Sequence, residues 1–278
     1  MAVIGIDLGT TNSLGCVYRN GKTELIPNAY GSYLTPSVVS MTEDGKLIVG
    51  QPAKDRLITH PERTVSSFKK DMGTGRSWKP GEKSFLPEEL SSLVIRSIVE
   101  DAQNYLGEEI EEAVISVPAY FHDEQRVAVK RAGALAGIHV ERIVNEPSAA
   151  ALASYFTANE EQNMLVFDFG GGTFDAALLK VEDGIMQVKD TEGDNYLGGK
   201  NLDYAIVDEI IIPYLQENYV IDKILADDAK KQILRDAMKF YAEQAKNQLS
   251  FKPHCDITSQ LDAVSYTHLR AHETSAHL

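Results

Sequence analysis

Leu165-Val166-Phe167-Asp168-Phe169-Gly170-Gly171-Gly172-Thr173-Phe174-Asp175 reads as an apolar strand that ends in an acid, turns through three glycines and returns. Ile4-Gly5-Ile6-Asp7-Leu8-Gly9-Thr10-Thr11, about 160 residues earlier, has the same layout. Each puts a carboxylate at a strand end and flexible, hydroxyl-bearing backbone directly after it. Glycine lets the main chain approach a phosphate closely and aim its N–H groups at the oxygens. An Asp beside a polyphosphate is repelled unless Mg²⁺ stands between them, held by hard oxygen ligands and often through waters. Neither segment is a P-loop, and neither is the dinucleotide fingerprint that opens a helix. Each turn is followed by another strand, so each is a β-hairpin. A single Asp-x-Gly-x-Thr is commonly an ordinary tight turn. Two of them, one with three adjacent glycines that are costly to order, point to a duplicated fold gripping one polyphosphate from both sides.

Working outward, strands and helices alternate, which argues an α/β fold. Val3 to Asp7 is a strand, with returns predicted at Leu14 to Tyr18 and Glu24 to Pro27 around the Asn20-Gly21 turn. Between Ser37 and Lys83 the pattern is mixed. In a helix predicted over 88–106, Leu90, Val94, Ile98, Ala102 and Leu106 fall four apart; Pro87 starts it and Gly107 ends it. Ala113 to Val117 is a buried-type strand stopped by Pro118. Asp123 to Ala136 is a second helix, with Asp123 as its cap and Gly137 as its stop. Val140 to Val144 is a strand, Pro147 to Phe156 an alanine-rich helix, Met164 to Phe169 a strand, and Thr173 to Val181 its return. Leu202 to Tyr219 and Ala226 to Leu249 read as long helices. The polar break at Glu160 to Asn163 is the expected lobe boundary.

The chain has 278 residues, 43% hydrophobic and 24% charged, with a formal net charge of -14. Such acidity disfavours nucleic acid and anionic membrane as partners, because phosphate contacts need Lys and Arg. Cys16 and Cys255 suggest neither zinc nor a disulfide framework, so a reducing cytoplasm is expected. Met1 to Asp7 lacks a secretory pattern, and no stretch approaches the ~20 apolar residues of a membrane span. Residues 263–278 break with the rest. The run Ala263 to Thr274 looks like a sequencing adapter translated in frame, so it is set aside as a non-native tail, and the natural chain is expected to continue past Asp262. The rival reading is a metal site on His268 and His272, four apart, but it lacks a Cys or acidic partner at ligand spacing.

Five runs, in order, carry a family resemblance: Gly5 to Ser13, Val117 to Phe121, Asn145 to Ala151, Phe167 to Asp175 and Gly193 to Gly199. They resemble the successive signatures of the 70-kDa heat-shock (DnaK-type) chaperones. Leu25 to Ser37 and Ser67 to Thr74 look closest to the HscC-like branch. The resemblance covers essentially Met1 to Leu261. It implies an actin-like ATPase fold with ribonuclease-H-like duplicated lobes, truncated in the second. Lobe I would span 1–160 with an inserted subdomain at about 38–112, and the first part of lobe II would span 161–262.

The resemblance also implies roles. Gly9, Thr10, Thr11 and Asn12 would hold phosphates, as would Gly170, Gly171, Gly172 and Thr173, with Gly198 and Gly199 nearby. Asp7, Asp168 and Asp175 would serve the metal. Lys69 matches the catalytic lysine, with Lys70 the fallback one position on, and Glu146, Asp168 and Thr173 complete the catalytic set. Pro118 and Arg126 match a relay that reports nucleotide state. Glu243, Lys246 and Ser250 match a helix that touches ribose and adenine. Asn247, where the family commonly has Arg, and Lys200, where an acid is usual, depart from the pattern.

The implied cofactors are ATP or ADP with Mg²⁺, and K⁺ as an accessory ion. The implied partners are a J-domain co-chaperone, a nucleotide-exchange factor and unfolded polypeptide clients bound by a domain beyond this chain, in a bacterial cytoplasm. Half of the adenosine pocket is expected to lie past residue 262, which would weaken ATP binding. A small-molecule kinase and an actin-like filament protein are the competing functions on this architecture.

Overall fold

A computed structural model of the chain describes residues 2–158, 163–182, 185–257 and 267–270. Strands β1 (Val3–Asp7), β2 (Asn12–Arg19) and β3 (Lys22–Ile26) form an antiparallel meander, and Asn20 and Gly21, both at positive φ, make its second turn. β4 (Thr35–Pro36) returns to pair with the start of β2. A small sheet follows, in which β5 (Val38–Met41) lies between β6 (Leu47–Val49) and β7 (Thr64–Ser66), with the short helices α1 (Gln51–Lys54) and α2 (Arg56–Thr59) in its connection. The chain then runs through α3 (Pro87–Leu106), β8 (Glu112–Val117), α4 (Asp123–Ala136), β9 (His139–Asn145) and α5 (Glu146–Ala158). β8 pairs parallel with β1 and β9 parallel with β8, which gives the strand order β3-β2-β1-β8-β9.

The core of this sheet follows from strand alternation. Ile4 and Ile6 on β1 and Ala113, Ile115 and Val117 on β8 point inward against α3 and α4. On α3 the four-residue spacing puts Leu90, Val94, Ile98 and Ala102 out of solvent, at 2% exposure or less. Each large aliphatic so buried contributes about 1.5–3 kcal/mol. Pro87 occupies the first turn, Glu89 accepts a 2.7 Å hydrogen bond from the Leu86 N–H, and Gly107 leaves the helix at φ 72°.

A second sheet, β10 (Asn163–Phe169), β11 (Phe174–Glu182) and β12 (Ile185–Asp194), is a pair of antiparallel hairpins. One face, with Met164, Val166, Ala177, Leu179 and Met186, packs on Ala151 of α5, whose alanines allow close approach. The other face exposes Leu165 and Phe167, and Phe174 stacks on Phe167 with ring centroids 6.2 Å apart.

Met1–Gly198 packs as one unit and Gly199–Leu278 as another. The packing division therefore falls later than the 160–163 break in the sequence. Hydrogen bonds from the Pro118–Phe121 turn reach Asp175 on β11 and Thr191 on β12, which ties the second sheet to the first. The second unit contains α6 (Gly199–Ile206), a π-helical turn (Val207–Ile211), α7 (Ile212–Asn218), α8 (Asp222–Leu225), α9 (Asp228–Leu249), β13 (His254–Ile257) and β14 (Thr267–Arg270), the last two paired antiparallel. The expected 202–219 helix is thus interrupted by a π turn just ahead of Pro213. The expected 226–249 helix starts at Asp228, because the Asp227 carboxylate caps the N–H groups of Ala229 and Lys230 at 3.1 Å each. The cap of α4 is His122 and not Asp123, which sits inside the first turn where its charge suits the helix dipole. Of the tail, only the backbone of 267–270 is described; His272 and His277 lie outside the described residues.

Candidate active site

The first hairpin turn is held by two serines. Gly9 N–H donates to Ser13 Oγ at 3.1 Å, Ser37 Oγ donates to the Gly9 carbonyl at 2.7 Å, and the two hydroxyls are 2.9 Å apart. Ser37 N–H also reaches the Thr11 carbonyl at 2.9 Å. The loop backbone is therefore fixed from behind, with both serine side chains buried. Neither was singled out from the sequence, although each lies inside a quoted run, Gly5 to Ser13 and Leu25 to Ser37. Asp7, at the end of β1, accepts a 3.0 Å hydrogen bond from Ser116 Oγ on the neighbouring parallel strand.

The second hairpin turn is closed by Gly170 N–H to the Thr173 carbonyl at 2.9 Å. It comes up against the first. A Cβ on Gly171 would collide with the Thr11 side chain, and one on Gly172 would meet the Thr10 methyl at 2.9 Å. Gly198 closes over the same turn: its Cβ would lie 2.6 Å from Gly172 Cα and 2.7 Å from the Gly171 carbonyl carbon. A Cβ at any of these three positions would force a neighbour to shift, so the two turns lie in close contact.

Lys69 and Glu146 meet in that region at 2.8 Å, although they are far apart in sequence. Lys69 is 3% exposed and its ammonium stands 5.5 Å from the Phe121 ring centroid. Burial pushes the Glu146 carboxyl above its ordinary range; Lys69 opposes this, and the charges of Asp7 and Asp168 add to it. Burial raises Asp168, helped by the charge of Asp7 and opposed by Lys69. Burial raises Asp175 too, opposed by the Ala119 N–H at 3.1 Å and helped by the charge of Asp168. These carboxylates repel one another, and a cation placed among them would relieve it.

Two atoms test whether a magnesium nucleotide fits. Asp175 Oδ2 and Thr11 Oγ1 are buried without a hydrogen-bond partner, which costs stability unless a ligand supplies one. Among the described residues no three His, Cys, Asp or Glu side chains converge on one metal position. Mg²⁺ here would rest on phosphate oxygens and waters, with the Asp carboxylates outside them, which is its usual habit. The residues fit.

Pro118 opens the turn whose Ala119 N–H donates to Asp175 Oδ1, and Arg126 lies on α4 just after that turn. Arg126 donates to the Phe121 carbonyl at 2.9 Å and to Asn145 Oδ1 at 2.7 Å, beside Glu146. In the second unit, Lys246 is bound to Asp203 Oδ1 at 2.6 Å and to the Gly199 carbonyl at 3.1 Å, Glu243 lies 3.6 Å from Lys239, and Ser250 turns back to the Lys246 carbonyl at 3.4 Å. Asn247 is exposed. Asp203, 2% exposed and set between Lys239 and Lys246, was not singled out from the sequence. No helix among the described residues is long and apolar enough to cross a membrane.

Comparison with known proteins gives a consistent match. The profile of the Hsp70 protein family matches residues 3–80 and 76–275. Over 265 residues, 95% of this chain, the sequence is 45% identical to the chaperone protein DnaK of Thermotoga neapolitana. It is 44% identical to those of Thermotoga petrophila and Thermotoga maritima over the same length. The chain spans 44% of the length of these relatives.

Proposed function

The chain belongs to the Hsp70 family, and on that premise we propose that its first unit binds ATP with Mg²⁺ and hydrolyses it to control peptide binding by a chaperone. The observation that carries this is the closure of two acid-glycine hairpins over the Lys69–Glu146 pair. Gly9 to Asn12 and Gly170 to Thr173 cradle the phosphates from opposite sides with backbone N–H groups and threonine hydroxyls. Mg²⁺, when bound, neutralises phosphate charge between Asp7, Asp168 and Asp175. Lys69 offsets charge at the terminal phosphate and positions the attacking water, and Glu146 orients both. Positioning and charge neutralisation dominate phosphoryl transfer, and little covalent chemistry is asked of the protein.

Arg126 and Pro118 stand where a change at Glu146 would be passed on, through Asn145 and the Pro118–Phe121 turn. The proposal extends to K⁺ as an accessory ion, to a J-domain co-chaperone, a nucleotide-exchange factor and unfolded clients, and to a bacterial cytoplasm. Leu25 to Ser37 and Ser67 to Thr74 support the HscC-like branch. The kinase and filament readings are not favoured by the family match.

Phosphate release from ATP, measured with Mg²⁺ and with a chelator, on the wild type and on Lys69→Ala, tests the proposal. Magnesium-dependent release that falls at least about tenfold in the variant is expected. Transfer to sugar acceptors in place of water, or turnover indifferent to Mg²⁺, would contradict it.

A further inference from the structure

Lys69 is held by two unlike contacts. Its ammonium donates a 2.8 Å hydrogen bond to Glu146 Oε1, and it also stands over the ring of Phe121, 5.5 Å from the centroid. That is inside the ~6 Å at which the negative face of an aromatic ring attracts a cation. Lys69 is 3% exposed and Phe121 5%, so little water screens the attraction. The ring is anchored. Phe121 N–H donates to the Pro118 carbonyl at 3.2 Å, the Phe121 carbonyl accepts from Arg126 Nε at 2.9 Å, and the side chain packs in the core of the first sheet. Lys69 and Phe121 line one pocket together with Thr10 and Thr173.

The two contacts differ in what they do to the charge. A carboxylate attracts the ammonium and cancels its charge. A ring face attracts it through a quadrupole and leaves the net positive charge intact. A leucine in place of the ring would keep the site apolar and supply no such attraction. We propose that Phe121 is a positioning residue, whose ring face holds the Lys69 ammonium in place without discharging it. The inference rests on the Mg-ATP reading above and adds to it a group that acts through Lys69.

The test replaces Phe121 in the full chain by mono-, di- and trifluorinated phenylalanine and, separately, by leucine in Phe121→Leu. Each fluorine drains electron density from the ring face, while the shape and apolar character of the ring stay nearly constant. In nucleotide-free melts, fluorination should lower Tm stepwise, by about 2–4 °C at the trifluorinated ring, and should have no such effect in a Lys69→Met background. In Mg-ATP turnover, kcat should fall stepwise to about tenfold below wild type while KM changes less than about twofold, and Phe121→Leu should match the trifluorinated ring. Melts that fluorination leaves unchanged, or changes equally with and without Lys69, overturn the inference whether or not the chain turns over. A kcat indifferent to fluorination in a chain that hydrolyses ATP overturns it as well, because the contact would then be structural only. A wild type that releases no phosphate from Mg-ATP refutes instead the nucleotide reading, and the positioning role with it.

Discussion

Replacing Lys69 by Met should destabilise the protein in a way that depends on pH and is relieved by a second substitution. Lys69 Nζ and Glu146 Oε1 are 2.8 Å apart and both residues are largely out of solvent. Removing one partner of a buried ion pair costs about 3–5 kcal/mol, because the remaining charge is left unpaired. For a folded unit of this size each kcal/mol lowers Tm by about 2–4 °C, so Lys69→Met should melt about 10 °C lower at neutral pH. Glu146 already has a raised carboxyl pKa, from burial first and then from Asp7 and Asp168, and Lys69 is the group that pulls it down.

Without Lys69 it rises further. A carboxyl whose folded pKa lies above its unfolded value contributes stability below the unfolded pKa and loses it as pH rises through the folded one. The gap between Lys69→Met and wild type should therefore be small under acid conditions and widen as pH climbs through and above the carboxyl range. Glu146→Gln added to Lys69→Met should recover most of the loss, while either change alone abolishes hydrolysis. Circular dichroism melts across pH on the four proteins measure this. A gap that stays constant with pH, or a double variant no more stable than Lys69→Met, would refute the reasoning.

Gly198→Ala should cost about 1–3 kcal/mol and weaken nucleotide binding, because its Cβ meets the backbone of Gly171 and Gly172 and not a side chain that can swing away; a melt within a degree of wild type would contradict this. Asp175→Asn keeps an acceptor for the Ala119 N–H but removes the charge, so the Mg²⁺ needed for half-maximal turnover should rise about tenfold or more. Ser37→Ala unties the Gly9 carbonyl and Ser13 together, and should lower stability by about 1 kcal/mol while raising KM for ATP more than it lowers kcat.

The hairpins and the helix register were open to reading because local chemistry decides them. Asp7 and Asp168 end apolar strands, glycines follow, and the four-residue spacing of Leu90, Val94, Ile98 and Ala102 fixes which face of α3 is buried. Strand β12 was missed, although Asp183-Gly184 offered a hairpin signal after Val181; most of its residues are exposed, so its sequence has little apolar alternation. The π turn at Val207–Ile211 was invisible because Ile206, Val207, Ile211 and Ile212 are apolar in either geometry. The roles of Ser37 and Asp203 depend on partners distant in the chain, which no local pattern reports; Ser13 has a local partner in Gly9 and a distant one in Ser37. In the sequence Lys70 stands only as an alternate register for Lys69; that Lys69 is the one paired with Glu146 is a property of the packed site.

Hydrogen–deuterium exchange of backbone amides, with and without Mg-ATP, addresses the two-sided grip directly. Amides of residues 8–12 and of residues 170–173 should become protected together at the same nucleotide concentration, and lose that protection together when Mg²⁺ is chelated. Protection of one turn while the other exchanges unchanged, or of neither at nucleotide saturation, would contradict a site built from both.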